Sequence, residues 1–141
     1  MNNKIIRFFN YESAFDFYTK KIKDMKQGSI KRSGIKKIAK PVLILSIIRG
    51  IENGTFRYNR FIFEDLERIY NDSETRTASP STAWVRKNVE YAYIDEELWL
   101  LLHNSDYRLR IKNFIIETKI RSIKENHSPL IKHFIGWLLA I

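Results

Sequence analysis

The sequence contains no cysteine, which excludes disulfides, thiolate metal sites and a cysteine nucleophile from this 141-residue chain. Five glycines and three prolines are too few for a low-complexity chain. No apolar run approaches the roughly 18 residues of a membrane-spanning helix, and the first residues lead into no apolar segment of the signal-peptide kind. We therefore expect a cytoplasmic protein that does not enter a membrane, and the length predicts a single domain over residues 1–141.

Catalytic signatures are missing as well. The chain contains neither G-x-x-x-x-G-K-[ST] nor G-x-G-x-x-G, and no serine lies in a G-x-S-x-G context. Glu117-Thr118-Lys119 matches the end of a nuclease metal motif, but that chemistry needs a strand and an upstream aspartate, and the surrounding pattern here is helical. The spacing of the three histidines does not favour a zinc site: they are His103, His127 and His133. We expect no enzymatic activity, no metal and no cofactor.

The chain does contain a concentrated block of positive charge. Residues 20–40 read KKIKDMKQGSIKRSGIKKIAK and hold nine basic residues and one acid, a net charge of +8, whereas the whole chain carries +9. This basic segment leads directly into Pro41 and the most apolar stretch, VLILSII. Clustered lysine and arginine are typical of surfaces that face nucleic-acid phosphates. The alternative is a solvated arm with no fixed partner.

The apolar pattern predicts a mainly α fold, a compact helical bundle around one buried helix. We expect that central helix over about residues 41–53, because Pro41 suits a first helical turn and the residues after it are apolar nearly all round. Aromatic residues at 56–63 predict at most a small β element. A polar linker follows at residues 71–80.

Other segments carry the spacing or capping residues of helices. These predicted helices run from Tyr11 to Met25, from Glu64 to Tyr70, from Ser81 or Thr82 through Ala92, from Asp95 as a cap, from Ser105 to Glu125, and over 127–141 at the C-terminus. The first has an apolar face of Phe15, Tyr18, Ile22 and Met25, and the fifth one of Leu109, Ile111, Ile115, Ile116, Ile120 and Ile123. The fifth helix also predicts a second basic surface, formed by Arg108, Arg110, Lys112, Lys119, Arg121 and Lys124.

Aromatic residues offer two kinds of role. Most lie at helical spacing among apolar neighbours, which favours core packing over base stacking: these are Trp84, Tyr91, Tyr93, Trp99 and Trp137. Residues 56–60 differ, because Tyr58 there lies between Arg57 and Arg60. Basic and aromatic side chains interleaved in this way indicate a nucleic-acid contact, and the alternative is a plain edge strand with solvated arginines.

Two stretches resemble the N-terminal domain of McrA-like HNH restriction endonucleases, the sulfur-binding domain that reads phosphorothioate-modified DNA. The first, AKPVLILSIIRGIENGTFRYNRFIFEDLERIY, matches the family pattern at Lys40, Pro41, Val42 to Ile48, Gly54, Asn59 and Arg60. The second, SPSTAWVRKNVEYAYIDEELWLLLHNSDYRLRIKNFIIETKI, matches it at Val89, Tyr91, Ala92, Ile94, Asp95, Glu96, Glu97, Leu98, Trp99, Leu101 and Leu102. The two stretches cover about half of the chain.

Three departures from the family accompany the resemblance. Ala39 stands where relatives have a histidine, which together with the basic residue at the position of Lys40 helps to hold the modified phosphate. The family's strand pair between the two stretches, which supplies much of the apolar pocket for sulfur, is replaced by the 71–80 linker, although Ser79-Pro80 could be taken for its Tyr-Pro pair. We expect no nuclease domain within these residues, because His103-Asn104 and Asn126-His127 are isolated dipeptides without the spacing of an HNH site.

These observations predict a DNA-binding domain, a shortened relative of the phosphorothioate readers. The residues expected to meet duplex DNA are Lys31, Arg32, Lys36, Lys37, Lys40, Arg57, Tyr58 and Arg60. The alternative is a non-catalytic interaction subunit or regulator of a restriction or defence complex. Its support is the apolar C-terminal helix, 127–141, which must pack on its own core, on a second copy or on a partner protein.

Overall fold

The computed structural model describes residues 10–25, 39–71 and 84–120. These residues form five α-helices and two short strands: α1 Tyr11–Lys23, α2 Ala39–Glu52, α3 Phe63–Asn71, β1 Arg86–Lys87, β2 Ala92–Tyr93, α4 Glu96–His103 and α5 Ser105–Ile115. A π-helical turn, Ile116–Ile120, continues α5. The prediction of a mainly α fold is confirmed. No helix in these ranges is long and apolar enough to cross a membrane.

The central helix predicted at about 41–53 is α2. Every side chain from Val42 to Ile48 is buried, and α2 packs against α3, α4 and α5. Its buried hydroxyl, Ser46 Oγ, donates to the carbonyl oxygen of Val42 at 2.7 Å, which satisfies the polar group inside the core. Pro41 lies in the first turn, as expected from its missing N–H.

Helix α1 lies against α4 and α5 and buries the predicted face. Tyr18 and Ile22 are fully buried, and Phe15 and Met25 pack at the edge of the core. Carbonyl oxygens at the C-terminal end of α1 find a hydrogen-bond donor outside the helix. Lys119 Nζ donates to the carbonyl oxygens of Lys23 and Met25. A cation at this position also complements the negative end of the helix dipole.

Helix α5 follows its prediction in part. It begins after Asn104, whose side chain accepts from the backbone N–H groups of Asp106 and Tyr107. Its core side includes the predicted Ile111, Ile115 and Ile116. Leu109 was wrongly assigned to that face and is exposed. The expected end at Glu125 lies outside the described residues, as does the helix predicted over 127–141.

The prediction of a second basic surface on α5 is wrong where the structure describes it. Lys112 is only 1% exposed, and its ammonium binds the carboxylate of Glu52 at the end of α2. Arg108 donates to the same carboxylate, and Arg110 forms an ion pair with Glu12 on α1. These charges join helices to one another. For Lys112 the carboxylate also offsets burial, because a buried cation without a partner carries a large cost.

The predicted helix from Ser81 or Thr82 through Ala92 is replaced by a β-hairpin in its described part. Strands β1 and β2 pair antiparallel, with Arg86 opposite Tyr93 and Lys87 opposite Ala92. A small β element was expected at 56–63. Among the described residues it is reduced to one isolated bridge, in which Phe61 pairs with Ala92. Residues 26–38 of the basic segment and 72–80 of the linker lie outside the described ranges.

Candidate nucleic-acid interface

The predicted DNA-contacting residues fall into three groups in the structure. Four of them lie outside the described residues: Lys31, Arg32, Lys36 and Lys37. Lys40 is the second residue of α2, and only its place in that helix is described. Arg57, Tyr58 and Arg60 lie together in the loop between α2 and α3, and all three are exposed.

This loop is shaped by close packing at both of its ends. Gly54 adopts a positive φ of 83° after α2, a conformation that glycine adopts without strain. The chain then turns back, and the backbone N–H of Phe56 donates to the carbonyl oxygen of Gly50 at 2.9 Å. Phe56 and Phe61 are buried, and their rings contact each other at a tilt of 31° with centroids 4.5 Å apart. The two rings hold the loop ends in the core, so the residues between them project outward.

Asn59 fastens the middle of the loop to the start of α4. Its Oδ1 accepts from the backbone N–H of Ile94 at 2.8 Å. Its Nδ2 donates to the carbonyl oxygen of Ile94 at 2.7 Å and to Glu96 at 3.0 Å. One amide therefore uses both its donor and its acceptor atoms on a segment 35 residues away, which fixes the arginines on either side of it.

Replacement of Asn59 with aspartate should loosen this loop. The acceptor for Ile94 N–H would be kept, but both donors would be lost and a second carboxylate would face Glu96. We expect the free energy of unfolding to fall by about 2 kcal/mol, from the unsatisfied carbonyl and the like-charge repulsion. Urea denaturation measures the change. Asn53→Asp is the matched control, because Oδ1 of Asn53 only accepts from the N–H of Thr55 at an exposed site; equal losses in both variants would contradict the anchoring role.

The loop and the β-hairpin form one continuous surface. The Phe61–Ala92 bridge joins their backbones, the Arg60 guanidinium lies 4.2 Å from the ring centroid of Tyr91, and the Lys87 ammonium lies 4.5 Å from that of Phe63. We call this the loop–hairpin surface, and it comprises Arg57, Tyr58, Arg60, Arg86, Lys87, Asn88 and Val89.

Sequence reasoning missed the hairpin part of this surface, Arg86 and Lys87, since it assigned them to a helix. The available signal was Asn88, which directly follows these two cations and is a residue type that favours a turn.

Three cations of the loop–hairpin surface have no acidic partner within the described ranges: no carboxylate there forms an ion pair with Arg57, Arg60 or Lys87. Such cations are available to an anionic ligand. Cation–π contacts restrict Arg60 and Lys87 without neutralising them.

Arg86 differs from the other cations because it pairs with Asp95. Asp95 occupies the position before α4, as predicted, but its side chain makes no capping bond. One oxygen accepts from Arg86 and the other from the buried Tyr18 hydroxyl. Burial would raise the pKa of Asp95, but the Arg86 guanidinium and the Tyr18 hydroxyl together hold it below its usual value. This chain of bonds connects the core to the base of the hairpin.

An open cleft of about 360 Å³ lies between the hairpin and the start of α4. Five of its seven lining residues are polar or charged, namely Asn59, Arg86, Asp95, Glu96 and Glu97, and the other two are Tyr93 and Ile94. A phosphorothioate sulfur would be expected in a dry apolar pocket instead, and this cleft does not have that character.

The remaining candidate residues take structural positions. Trp84 and Trp99 are buried, as the preference for core packing predicted. Tyr91 and Tyr93 are half-buried, with ring centroids 5.8 Å apart. Glu117 and Lys119 lie in the π-helical turn, not on a strand. Trp137, His127 and His133 lie outside the described residues.

No protein-family model matches the chain, and a search of curated proteins finds no match.

Proposed function

We propose that this chain binds duplex DNA, without catalysis, through the phosphates that its loop–hairpin surface can reach. The observation that supports the proposal is the set of cations without described acidic partners, Arg57, Arg60 and Lys87, on a surface held to the core by Asn59 and two buried phenylalanines. Tyr58 projects beside them with 73% of its area exposed. Such cations can bind phosphates without first being released from a carboxylate, which favours the proposed binding of duplex DNA.

The charge of the whole chain supports the same function. Nearly all of the net charge of +9 comes from residues 20–40, and this basic segment leads into the first turn of α2, where Lys40 lies. The other end of α2 leads into the loop that carries Arg57. We propose that Lys31, Arg32, Lys36, Lys37 and Lys40 add further phosphate contacts. We also propose a cytoplasmic location, where such a protein would meet DNA.

The test is fluorescence anisotropy with a labelled duplex of about 20 base pairs at several salt concentrations. If about five phosphates are neutralised, the log–log slope of affinity against salt should be roughly −4 to −5. Arg57→Ala, Arg60→Ala and Lys87→Ala should each weaken binding about fivefold and reduce the slope by about one.

Arg68→Ala is the matched control, since it removes the same charge from an exposed residue of α3 that already pairs with Asp65. Its effect on affinity should be the smallest of the four. Absence of duplex binding at low salt, or an equal loss in the control, would refute the proposal.

A narrower version is recognition of phosphorothioate DNA. The two matched stretches favour it. The described hairpin does not add to this support, because Arg86–Lys87 and Ala92–Tyr93 lie within the second stretch and not between the two. The three carboxylates that line the cleft beside the hairpin argue against it, because Asp95, Glu96 and Glu97 would repel the negatively charged phosphorothioate. Paired duplexes of one sequence, with and without the sulfur, distinguish the two versions: equal affinity removes sulfur recognition and leaves DNA binding intact.

The second candidate is a protein-interaction module of a restriction or defence complex. Exposed apolar side chains favour it, because Ile62 is 57% exposed and Val89 fully exposed on or beside the loop–hairpin surface. The apolar residues of 127–141 could add a docking helix for a second copy or a partner protein. Size-exclusion mass of the full chain and of a truncation at Asn126 tests this role: a monomer in both cases would contradict it.

A further inference from the structure

Hydrogen bonds to the backbone of the turn fix the side chain of Asn88 at the tip of the β-hairpin. Its Oδ1 accepts from the backbone N–H groups of Glu90 and Tyr91, each at 2.8 Å, and its own N–H donates to the carbonyl oxygen of Tyr91 at 2.9 Å. The amide orientation follows from chemistry, because two N–H donors require the oxygen of the amide and not its nitrogen. The side chain is therefore held in one position at the end of the hairpin.

This geometry determines what Asn88 can bind. Its oxygen is occupied by the turn, whereas no described residue accepts a hydrogen bond from its Nδ2. The exposed amide can therefore donate but has little capacity left to accept. It cannot make the paired donor and acceptor bonds by which asparagine usually reads adenine. The acceptor atoms that it can meet on base edges in the major groove are guanine N7 and O6, adenine N7 and thymine O4.

The charges around the tip favour base edges over backbone. Lys87 and Arg60 are held over the rings of Phe63 and Tyr91, and the phosphate contacts are assigned to these two cations. The tip itself carries Glu90, which phosphates repel, and Val89, which is 100% exposed. A carboxylate and a fully exposed apolar side chain are poor phosphate ligands but suitable neighbours for base edges, including a thymine methyl group.

We infer that the hairpin tip, residues 88–90, enters the major groove of duplex DNA and that Asn88 donates to an acceptor atom on a base edge. A two-stranded β-ribbon fits the width of that groove. The inference rests on the proposed function and deepens it: Arg57, Arg60 and Lys87 supply affinity, and Asn88 supplies sequence preference.

Asn88→Asp tests the inference with little disturbance of the fold. A carboxylate can still accept from Glu90 N–H and Tyr91 N–H, so the turn is kept, while the donating amide is replaced by an acceptor. The full-length chain and the variant are each used to select duplexes from a pool with a randomised centre. We expect the wild-type protein to disfavour cytosine at one position by about tenfold relative to the acceptor-bearing bases. Asn88→Asp should lose that preference or shift it to cytosine, whose N4 amino group is a donor.

Asn104→Asp is the charge-matched control, because Asn104 makes a similar turn with two backbone N–H groups far from the tip in sequence. It should keep the wild-type preference. Identical enrichment by wild type and Asn88→Asp, or no enrichment by a wild-type protein that binds duplexes, would overturn the inference while leaving the proposed function standing. No duplex binding by any of the three proteins would overturn both.

Discussion

Replacement of Glu52 with alanine is expected to lower the free energy of unfolding by about 3–5 kcal/mol, the usual cost of breaking a buried ion pair from one side. Glu52 is only 7% exposed at its side chain and binds the Lys112 ammonium at 3.1 Å. It also accepts from Arg108 at 3.3 Å. Without the carboxylate, Lys112 would keep a buried charge with no compensating anion among the described residues. Urea or thermal denaturation followed by far-UV circular dichroism measures the loss.

The control for this prediction is Glu12→Ala. Glu12 pairs with Arg110 across α1 and α5, as Glu52 pairs with Lys112 across α2 and α5, but both members of the former pair are about half exposed. Water screens the attraction between exposed charges, so this variant should differ little from wild type. In the double variant Glu52→Ala, Lys112→Met, the uncompensated charge is gone and part of the stability should return. A loss in Glu52→Ala no larger than in Glu12→Ala would contradict the assignment.

Replacement of Gly50 with alanine is the second change with a large expected effect. A Cβ at this position would lie 2.9 Å from Cγ of Phe56 and would overlap other atoms of that ring. Alanine improves helix propensity by up to about 1 kcal/mol, but overpacking a core costs about 1–3 kcal/mol. Because Phe56 is buried against Phe61 and cannot easily move, we expect the cost to reach its upper range and the net loss to be about 2 kcal/mol.

The same variant should also weaken duplex binding, since displacement of Phe56 disturbs the loop that carries Arg57 and Arg60. In the double variant Gly50→Ala, Phe56→Leu the new methyl group no longer meets an aromatic ring. Its loss in the free energy of unfolding should therefore be smaller than the sum of the losses in the two single variants. Denaturation of the four proteins gives the coupling energy between the two positions. A Gly50→Ala protein as stable as wild type would show that the ring has room to shift.

The helices α1, α2 and α3 were predictable because their determinants are local. Apolar residues at spacings of three and four mark the buried face of α1, and a continuous apolar run after Pro41 marks α2. The hairpin was not predictable in this way, because Val85, Val89 and Ala92 also have helical spacing. What favours the hairpin is the pairing of Ala92 with Lys87 on one side and with Phe61 on the other, and the second contact lies far away in the sequence.

The candidate site was predictable to a similar extent. Arg57, Tyr58 and Arg60 were identified from their alternation alone, and the structure brings them together on an exposed loop. Lys112 and Arg108 were wrongly placed on a basic surface, because helical position alone does not reveal a carboxylate 60 residues away in the chain. Lys87 was missed for the same reason, since its place beside Phe63 depends on contacts between distant segments.

The Lys119 contacts at the end of α1 have a consequence for the basic segment. They secure the chain at Met25, and α2 secures it again from Ala39, so the intervening residues are tethered to the folded core at both ends. Under the proposed function, a duplex held by the loop–hairpin surface would then meet the lysines of residues 26–38 in an intramolecular step, without a second encounter from solution. Binding would then be bivalent: a weak contact of the duplex with the loop–hairpin surface would raise the fraction of time for which the duplex also contacts the basic segment.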